Sequence, residues 1–280
     1  MSVIKKTREE LEAILSIKTL SGVMRDLAVE RVQRLREDFK KNINFYKEIE
    51  DLFNQVQILV NEQYKGISNE MKKRPVANIA VTSNHRFYGS LNQEVMKFFL
   101  KNWSKAEDHI VIGKMGEIFM QETEYYDRCK FVFFGDDNPT RWEVQKVISL
   151  AKSYSKAIVH FPQYKTPFHQ VPVTMDIVRM AEVGEGEVQG NLNRFIFEPD
   201  LPLIHDFFST QVQYILIQRI MLETDLSRTA TRLVRMDGAE NSAVEMYSQK
   251  KRELHDSIQR QLDIQLFESL SGLKNNDKKR

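Results

Sequence analysis

Two stretches hold the residues best suited to chemistry. Residues 81–92, VTSNHRFYGSLN, run from an apolar segment through a glycine-bearing loop into a helical pattern, the setting in which backbone N–H groups bind phosphate. The loop has neither G-x-G-x-x-G nor G-x-x-x-x-G-K-[ST], and Phe87 and Tyr88 stand where a phosphate needs bare backbone. A second glycine pair, Gly113 and Gly116 in VIGKMGEIF, suits tight packing at a strand-to-helix turn. Residues 227–241, SRTATRLVRMDGAEN, combine small residues with Arg228, Arg232 and Arg235. Alanine and glycine let another backbone come close, and arginine forks onto carboxylates; the other reading of these arginines is plain surface charge.

Other routes to catalysis are weaker. The histidines at 85, 109, 160, 169, 205 and 255 show no H-E-x-x-H spacing and have no cysteine partner for zinc, so no metal site is expected. His160 lies in an apolar run and reads as a hydrogen-bonded core residue. There is no G-x-S-x-G turn, and the single cysteine, Cys129, has no motif around it. No catalytic residue and no cofactor is expected.

The elements that must position these residues are long. Of 280 residues, 41% are hydrophobic and 29% charged, with only 11 glycines and 7 prolines, a composition that favours long uninterrupted elements over turn-rich β architecture. Forty-one Lys and Arg against 39 Asp and Glu leave a net charge of +2, so nothing in the balance calls for nucleic acid. One cysteine fits a reducing compartment. No window approaches eighteen consecutive apolar residues, so direct membrane insertion is not expected. The opening MSVIKKTREELEAIL lacks the apolar core of a secretory signal.

Residues 203–273 contain no proline and read as one helix about 105 Å long, far more than its own chain's core can bury. A second long helix is expected from about Thr7, with Leu11, Ile14, Leu20, Val23, Leu27, Leu35, Phe39, Ile43, Tyr46, Ile49, Phe53, Val56 and Leu59 as its apolar stripe, ended by Gly66 and Pro75. The charges between them, Arg31, Arg34 and Arg36 among others, read as a solvated face with i to i+4 pairs.

Between Pro75 and Pro202, short apolar runs alternate with amphipathic helices. Strands are expected at 76–82, 109–113, 130–134 and 156–161, helices at 91–101, 115–123 and 140–154, and an antiparallel hairpin from 171–178 and 192–198. The expected fold is an α/β insert, Rossmann-like with a mostly parallel sheet and a C-terminal hairpin, between two long terminal helices that pair as an antiparallel coiled coil. The divisions fall at residues 1–74, 75–202 and 203–280.

Taken in order, these segments resemble the gamma subunit of F-type ATP synthases. FIFEPD at 195–200 resembles that family's aromatic-x-aromatic-E-P-D, and TATRLVRMDGAENS at 229–242 its A-A-R-M-x-A-M-x-x-A-x-x-N. LFESLSGL at 266–273 is similar to its final E-I-x-S-G, SNHRFYGSLN at 83–92 to its S-D-R-G-L-C-G-G-L-N, and IGKMGEIFM at 112–120 to its G-x-K-G-x-x-F-F. Arg8, Leu11, Ile14 and Met24 fall where it has R-x-x-I-x-x-I and K-A-M.

The resemblance implies a central-stalk rotor without catalytic residues of its own. Its helices would lie inside a hexamer of alternating alpha and beta subunits, and its insert beside the epsilon subunit on the c-ring, at the cytoplasmic face of a bacterial inner membrane. It carries over Met24, Arg228, Arg232, Gln259, Asp263 and Gln265 as contacts to beta. Asn84, Arg86, Tyr88, Gly89 and Asn92 carry over as the loop facing the c-ring and epsilon. Several departures mark a divergent member: Arg228 replaces an acidic residue, Asp263 and Gln265 replace threonine and glutamate, and Arg86, Phe87, Tyr88 and Ser90 replace Gly, Leu, Cys and Gly. The alternative is a coiled-coil scaffold with an α/β domain.

Overall fold

The structure is a computed structural model that describes residues 3–63, 74–137, 139–178 and 201–277. Helix α1 spans Val3–Gln63 and helix α5 spans Leu201–Asp277. Between them lie β1 (Val76–Val81), α2 (Leu91–Lys101), β2 (Asp108–Ile112), α3 (Lys114–Gln121), β3 (Cys129–Val132), α4 (Arg141–Ala151), β4 (Lys156–Thr166) and β5 (His169–Asp176).

VANIAV in β1 and DHIVI in β2 are almost continuously apolar and almost continuously buried, as strands covered on both faces must be. The sheet order is β3-β2-β1-β4-β5. The first four strands run parallel, joined by helical crossovers, and β5 returns antiparallel to β4. Helix α4 begins where Thr140 and Glu143 form a capping box, Glu143 Oε2 accepting from Thr140 N at 2.7 Å. One sheet face packs on α4, Phe53 of α1, and Val212, Ile215, Leu216, Ile217 and Ile220 of α5. The other packs through Ala80 and Val111 on Met96 and Phe99 of α2 and Met120 of α3.

The chain forms two compact units, Met1–Leu27 with Leu233–Arg280, and Ala28–Arg232. In the first, Glu10 pairs with Lys250 at 3.1 Å and Arg25 with Glu240, so the helices run antiparallel. In the second, Arg31 pairs with Asp225, Val32 and Leu35 pack on Leu226, and Phe53 lies 5.6 Å from His205.

The buried stripe of α1 keeps Ile14, Leu35, Tyr46, Phe53 and Val56 of the expected one and departs from it elsewhere. Thr7, Ile14, Ser21, Ala28 and Leu35, each seven residues from the last, are buried. Leu20, Val23 and Leu27 are 62%, 53% and 60% exposed. Small and hydroxylated side chains form the inner seam, whereas the sequence reading followed the larger apolar ones onto the outer face. Arg34 does pair with Glu30 within the helix, but Arg31 and Arg36 leave it for Asp225 and Tyr164.

The sheet also holds a hairpin that the sequence reading did not expect. It forms between β4 and β5, turning at Pro167 and Phe168, because β4 continues five residues beyond Phe161 to Thr166. The expected strand at 192–198 and the FIFEPD segment lie outside the described residues. Gly238 meets nothing within 4 Å among the described residues; the close approach belongs to Gly22, whose added Cβ would lie 3.3 Å from the Glu240 carboxylate.

Candidate functional site

The 81–92 loop and the arginines of α5, read separately from sequence, meet at the carboxyl ends of the parallel strands. That edge is where open α/β sheets form crevices. Thr82, the first residue after β1, accepts from Gly116 N through its hydroxyl at 2.9 Å and donates from it to Ile112 O at 2.7 Å, fixing the α3 turn. Gly113 allows this at φ +100, with an added Cβ placed 2.4 Å from Thr82 O. The glycine pair thus serves close backbone packing.

The loop is closed on itself. Ser83 N donates to Asn92 Oδ1 at 3.2 Å, and Asn92 Nδ2 donates to Ser83 Oγ at 2.8 Å. Asn84 donates from Nδ2 to Phe134 O at 3.0 Å and accepts from Lys114 N at 3.2 Å. Phe87 has φ 76 and Gly89 φ 56, two left-handed residues that reverse the chain between them. The reversal turns Tyr88 inward, 4% exposed, and leaves Phe87 70% exposed.

Asp137 is the centre of the site. Its Oδ1 accepts from Asn84 N at 2.6 Å and its Oδ2 from the Tyr88 hydroxyl at 2.7 Å. Arg228 Nη1 lies 3.9 Å from the same carboxylate and donates to Asp137 O at 3.5 Å. Both charges are almost fully enclosed, at 3% and 7% side-chain exposure. Burial pulls the Arg228 guanidinium below its ordinary pKa, and the Asp137 charge opposes that fall. Burial, then the hydrogen bond to Asp137, pushes the Tyr88 hydroxyl well above its ordinary value, so it stays protonated and donates. Arg232 completes the chain: its Nη2 donates to the Tyr88 hydroxyl at 2.6 Å, and its guanidinium carbon lies 4.8 Å from the ring centroid.

Residues 223–230 of α5 are buried without interruption. A helix covered on one stripe would expose every third or fourth position, so this segment is enclosed on all sides. Leu226 meets Val32 and Leu35, Ser227 donates to Pro162 O at 3.0 Å, Arg228 faces Asp137, and Asp225 faces Arg31.

The remaining site residues differ in exposure. Met24 is half-buried on α1; Gln259, Asp263 and Gln265 are exposed on α5; Arg86 and Gly89 are exposed in the loop. Arg228, carried over as a contact to another subunit, is enclosed by its own chain, and Tyr88 likewise faces inward. Asp137 was missed. Its signal was FFGDDN following an apolar strand, an acidic pair at the carboxyl edge of the sheet.

His85, Asp136 and Asp137 bring ligand-type atoms within 4.8 Å of one another. Asp137 already accepts on both oxygens, and Arg228 adds a positive charge beside it, so the group works as a brace for the guanidinium. The crevice beneath, lined by Thr82, Asn84, Gly113 and Arg228, has room for about 10 Å³, one water.

A family model described as ATP synthase matches residues 3–274, taking in both long helices and the sheet between them. The chain belongs to the ATP synthase family, as a gamma chain. It is 22% identical to the ATP synthase gamma chain of Mycoplasma mobile over 291 residues, covering 97% of this chain and 98% of that one. It is also 22% identical to the gamma chain of Rickettsia prowazekii, with 97% and 99% covered. Among solved structures, a chain of the Euglena gracilis mitochondrial ATP synthase OSCP/F1/c-ring assembly matches with a TM-score of 0.65 at 12% identity, over 97% of this chain and 93% of that one. A chain of the Tetrahymena thermophila mitochondrial ATP synthase central stalk and c-ring matches at 0.55 and 15%, over 79% and 99%. At these identities the likeness lies in the fold. In this gamma chain the loop is tied to α5 through Tyr88, which bonds directly to Arg232 and, by way of Asp137, to Arg228.

Proposed function

We propose that this gamma chain is the central-stalk rotor subunit of an F-type ATP synthase, passing rotation between the membrane c-ring and the alpha/beta catalytic hexamer. The observation that carries the reading is the enclosure of residues 223–230. A helix gripped on every face by a sheet, a loop and a second helix cannot turn without the domain that grips it, and a torque-bearing element needs that property. The family match over residues 3–274 supports it.

In this reading the chain is not catalytic on its own and binds no cofactor or nucleic acid. It acts by favouring different conformations of the catalytic sites at different angles. Met24, Arg232, Gln259, Asp263 and Gln265 face beta, with Arg228 supporting from within. Asn84, Arg86, Gly89 and Asn92 face epsilon and the c-ring, with Tyr88 fixing the loop behind them. Residues 1–74 and 203–280 supply the shaft and residues 75–202 the foot. Among the described residues no helix is long and apolar enough to cross a membrane, and the subunit is peripheral, at the cytoplasmic face of a bacterial inner membrane. The scaffold alternative is not favoured by a match that takes in helices and sheet alike.

The test is reconstitution. The purified chain alone hydrolyses no ATP, and alpha and beta subunits gain rotation-coupled turnover when it is added. Full coupled activity without it would overturn the reading.

A further inference from the structure

Arg232 carries an incomplete set of hydrogen bonds. Its Nη2 donates to the Tyr88 hydroxyl at 2.6 Å and its guanidinium rests on the Tyr88 ring. Its Nε is buried and finds no acceptor among the described residues. Arginine presents Nε and Nη2 side by side as a fork that fits the two oxygens of a carboxylate. A phenol oxygen can satisfy only one prong. Tyr88 is itself fixed, because its hydroxyl donates to Asp137 Oδ2 at 2.7 Å and Asp137 is held by Asn84 N and the enclosed Arg228.

From this geometry we infer that Tyr88 is a latch: it holds Arg232 against its own chain until a carboxylate on a partner subunit draws the guanidinium away and fills both prongs. The inference rests on the rotor reading for the existence of that partner. The latched state is held by one neutral acceptor and a ring face and leaves a donor unpaired. The released state gains a charge-assisted, two-pronged pair. Exchange between them is therefore reversible, and the position of Tyr88 sets how readily Arg232 is given up. Tyr88 is a positioning residue here, acting through Arg232. The sequence supports a dedicated role: Phe87, with φ 76, accepts a left-handed backbone that a bulky residue rarely adopts, and the turn it makes aims Tyr88 inward.

Two measurements test the latch. The first uses the intact chain with isotopically labelled arginine side chains, the Arg232 signal being identified by its loss in Arg232→Lys. Its Nε–H resonance is expected to be displaced by the Tyr88 ring, to return to the position of exposed arginines in Tyr88→Leu, and to stay displaced but broaden in Tyr88→Phe. An Arg232 resonance already at the exposed position in the parent chain would overturn the latch. The second measures affinity for the alpha/beta hexamer. Tyr88→Phe, which keeps the ring and loses the acceptor, is expected to bind several-fold tighter than the parent. In an Arg232→Ala background the same change should have no effect. Equal effects in both backgrounds, or no gain, would overturn the exchange. Failure of every chain to bind, parent included, would overturn the rotor reading and the exchange with it, while the arginine resonance would still decide whether Arg232 rests on Tyr88.

Discussion

Arg31 of α1 donates to the Asp225 carboxylate of α5 at 2.9 Å, and the two partners differ sharply in surroundings: the arginine is 43% exposed and the aspartate 6%. The aspartate is the dependent partner, because it sits within the enclosed segment where water cannot replace a lost donor. Arg31→Ala is expected to lower unfolding stability by about 1.5–3 kcal/mol, the usual worth of a hydrogen bond to a charged group. Asp225→Asn, which keeps an acceptor and removes the charge, should cost less. Denaturant titration of both variants gives the comparison; equal losses would show that the charge carries the whole interaction.

Gly116 tests the packing of the sheet edge. An added Cβ would lie 2.4 Å from Val111 Cγ1 and 2.7 Å from Thr82 Oγ1, both too close to tolerate. Gly116→Ala is expected to cost about 1–3 kcal/mol by overpacking. Gly113→Ala should cost more, since its close neighbour is the Thr82 carbonyl and its φ is +100. Gly238→Ala, with open space around it among the described residues, should be neutral or slightly stabilising. Thermal melts of the three variants would reverse this picture if Gly238→Ala proved the most damaging.

His160 predicts a pH dependence. It is 1% exposed, bonded through Nε2 to Asn78 Oδ1 at 3.2 Å, and packed edge-on to Phe98 and Phe99. Burial, with His109 adding to it, lowers its pKa from 6.5 to about 4. Glu107 bonds to Asn78 on the same face. Between those values the unfolded chain binds the proton and the folded chain does not. Stability is therefore complete above pH 6.5 and declines as the pH falls to about 4, by about 3 kcal/mol if the whole shift is expressed. His160→Gln should flatten this decline; an unchanged slope would assign it to His109 and His205, whose pKa values burial also lowers.

Arg232→Ala should weaken coupling in a reconstituted complex while leaving the chain's melting curve nearly unchanged, because Tyr88 stays fixed by Asp137. Arg232→Lys should recover only part of the loss, since an ammonium offers no fork. Rotation-linked hydrolysis equal to the parent in Arg232→Ala would remove the residue from the contact set.

The sheet was legible in the sequence because its strands are short apolar runs between amphipathic helices, and a buried parallel strand needs nothing else to declare itself. The long helices were legible from length without proline. The seam was legible only in part, because the choice between two faces of α1 depends on what the other helix presents. Thr7, Ser21 and Ala28 win by size over Leu20, Val23 and Leu27, and size at a close helix contact is invisible to an apolar stripe. The site was half legible. Tyr88, Arg228 and Arg232 were each singled out, but a charged residue reads as exposed until its counter-charge is known. Asp137 lies 91 positions from Arg228 and joins it only through the sheet. The β4–β5 hairpin was hidden by its turn, since Pro167 and Phe168 are not a turn pair that sequence patterns flag.

Every position from 261 to 270 of α5 is exposed, Leu262, Ile264, Leu266, Phe267 and Leu270 among them. Among the described residues this stretch of helix has little beyond its own hydrogen bonds to hold it, and ten residues of helix are marginal in water. Its amide protons should exchange with solvent far faster than those of 223–230, and slow by orders of magnitude once apolar walls close around it. The end of this helix would then acquire its rigidity from the partner that encloses it, and assembly would bear the ordering entropy that folding of the free chain leaves unspent.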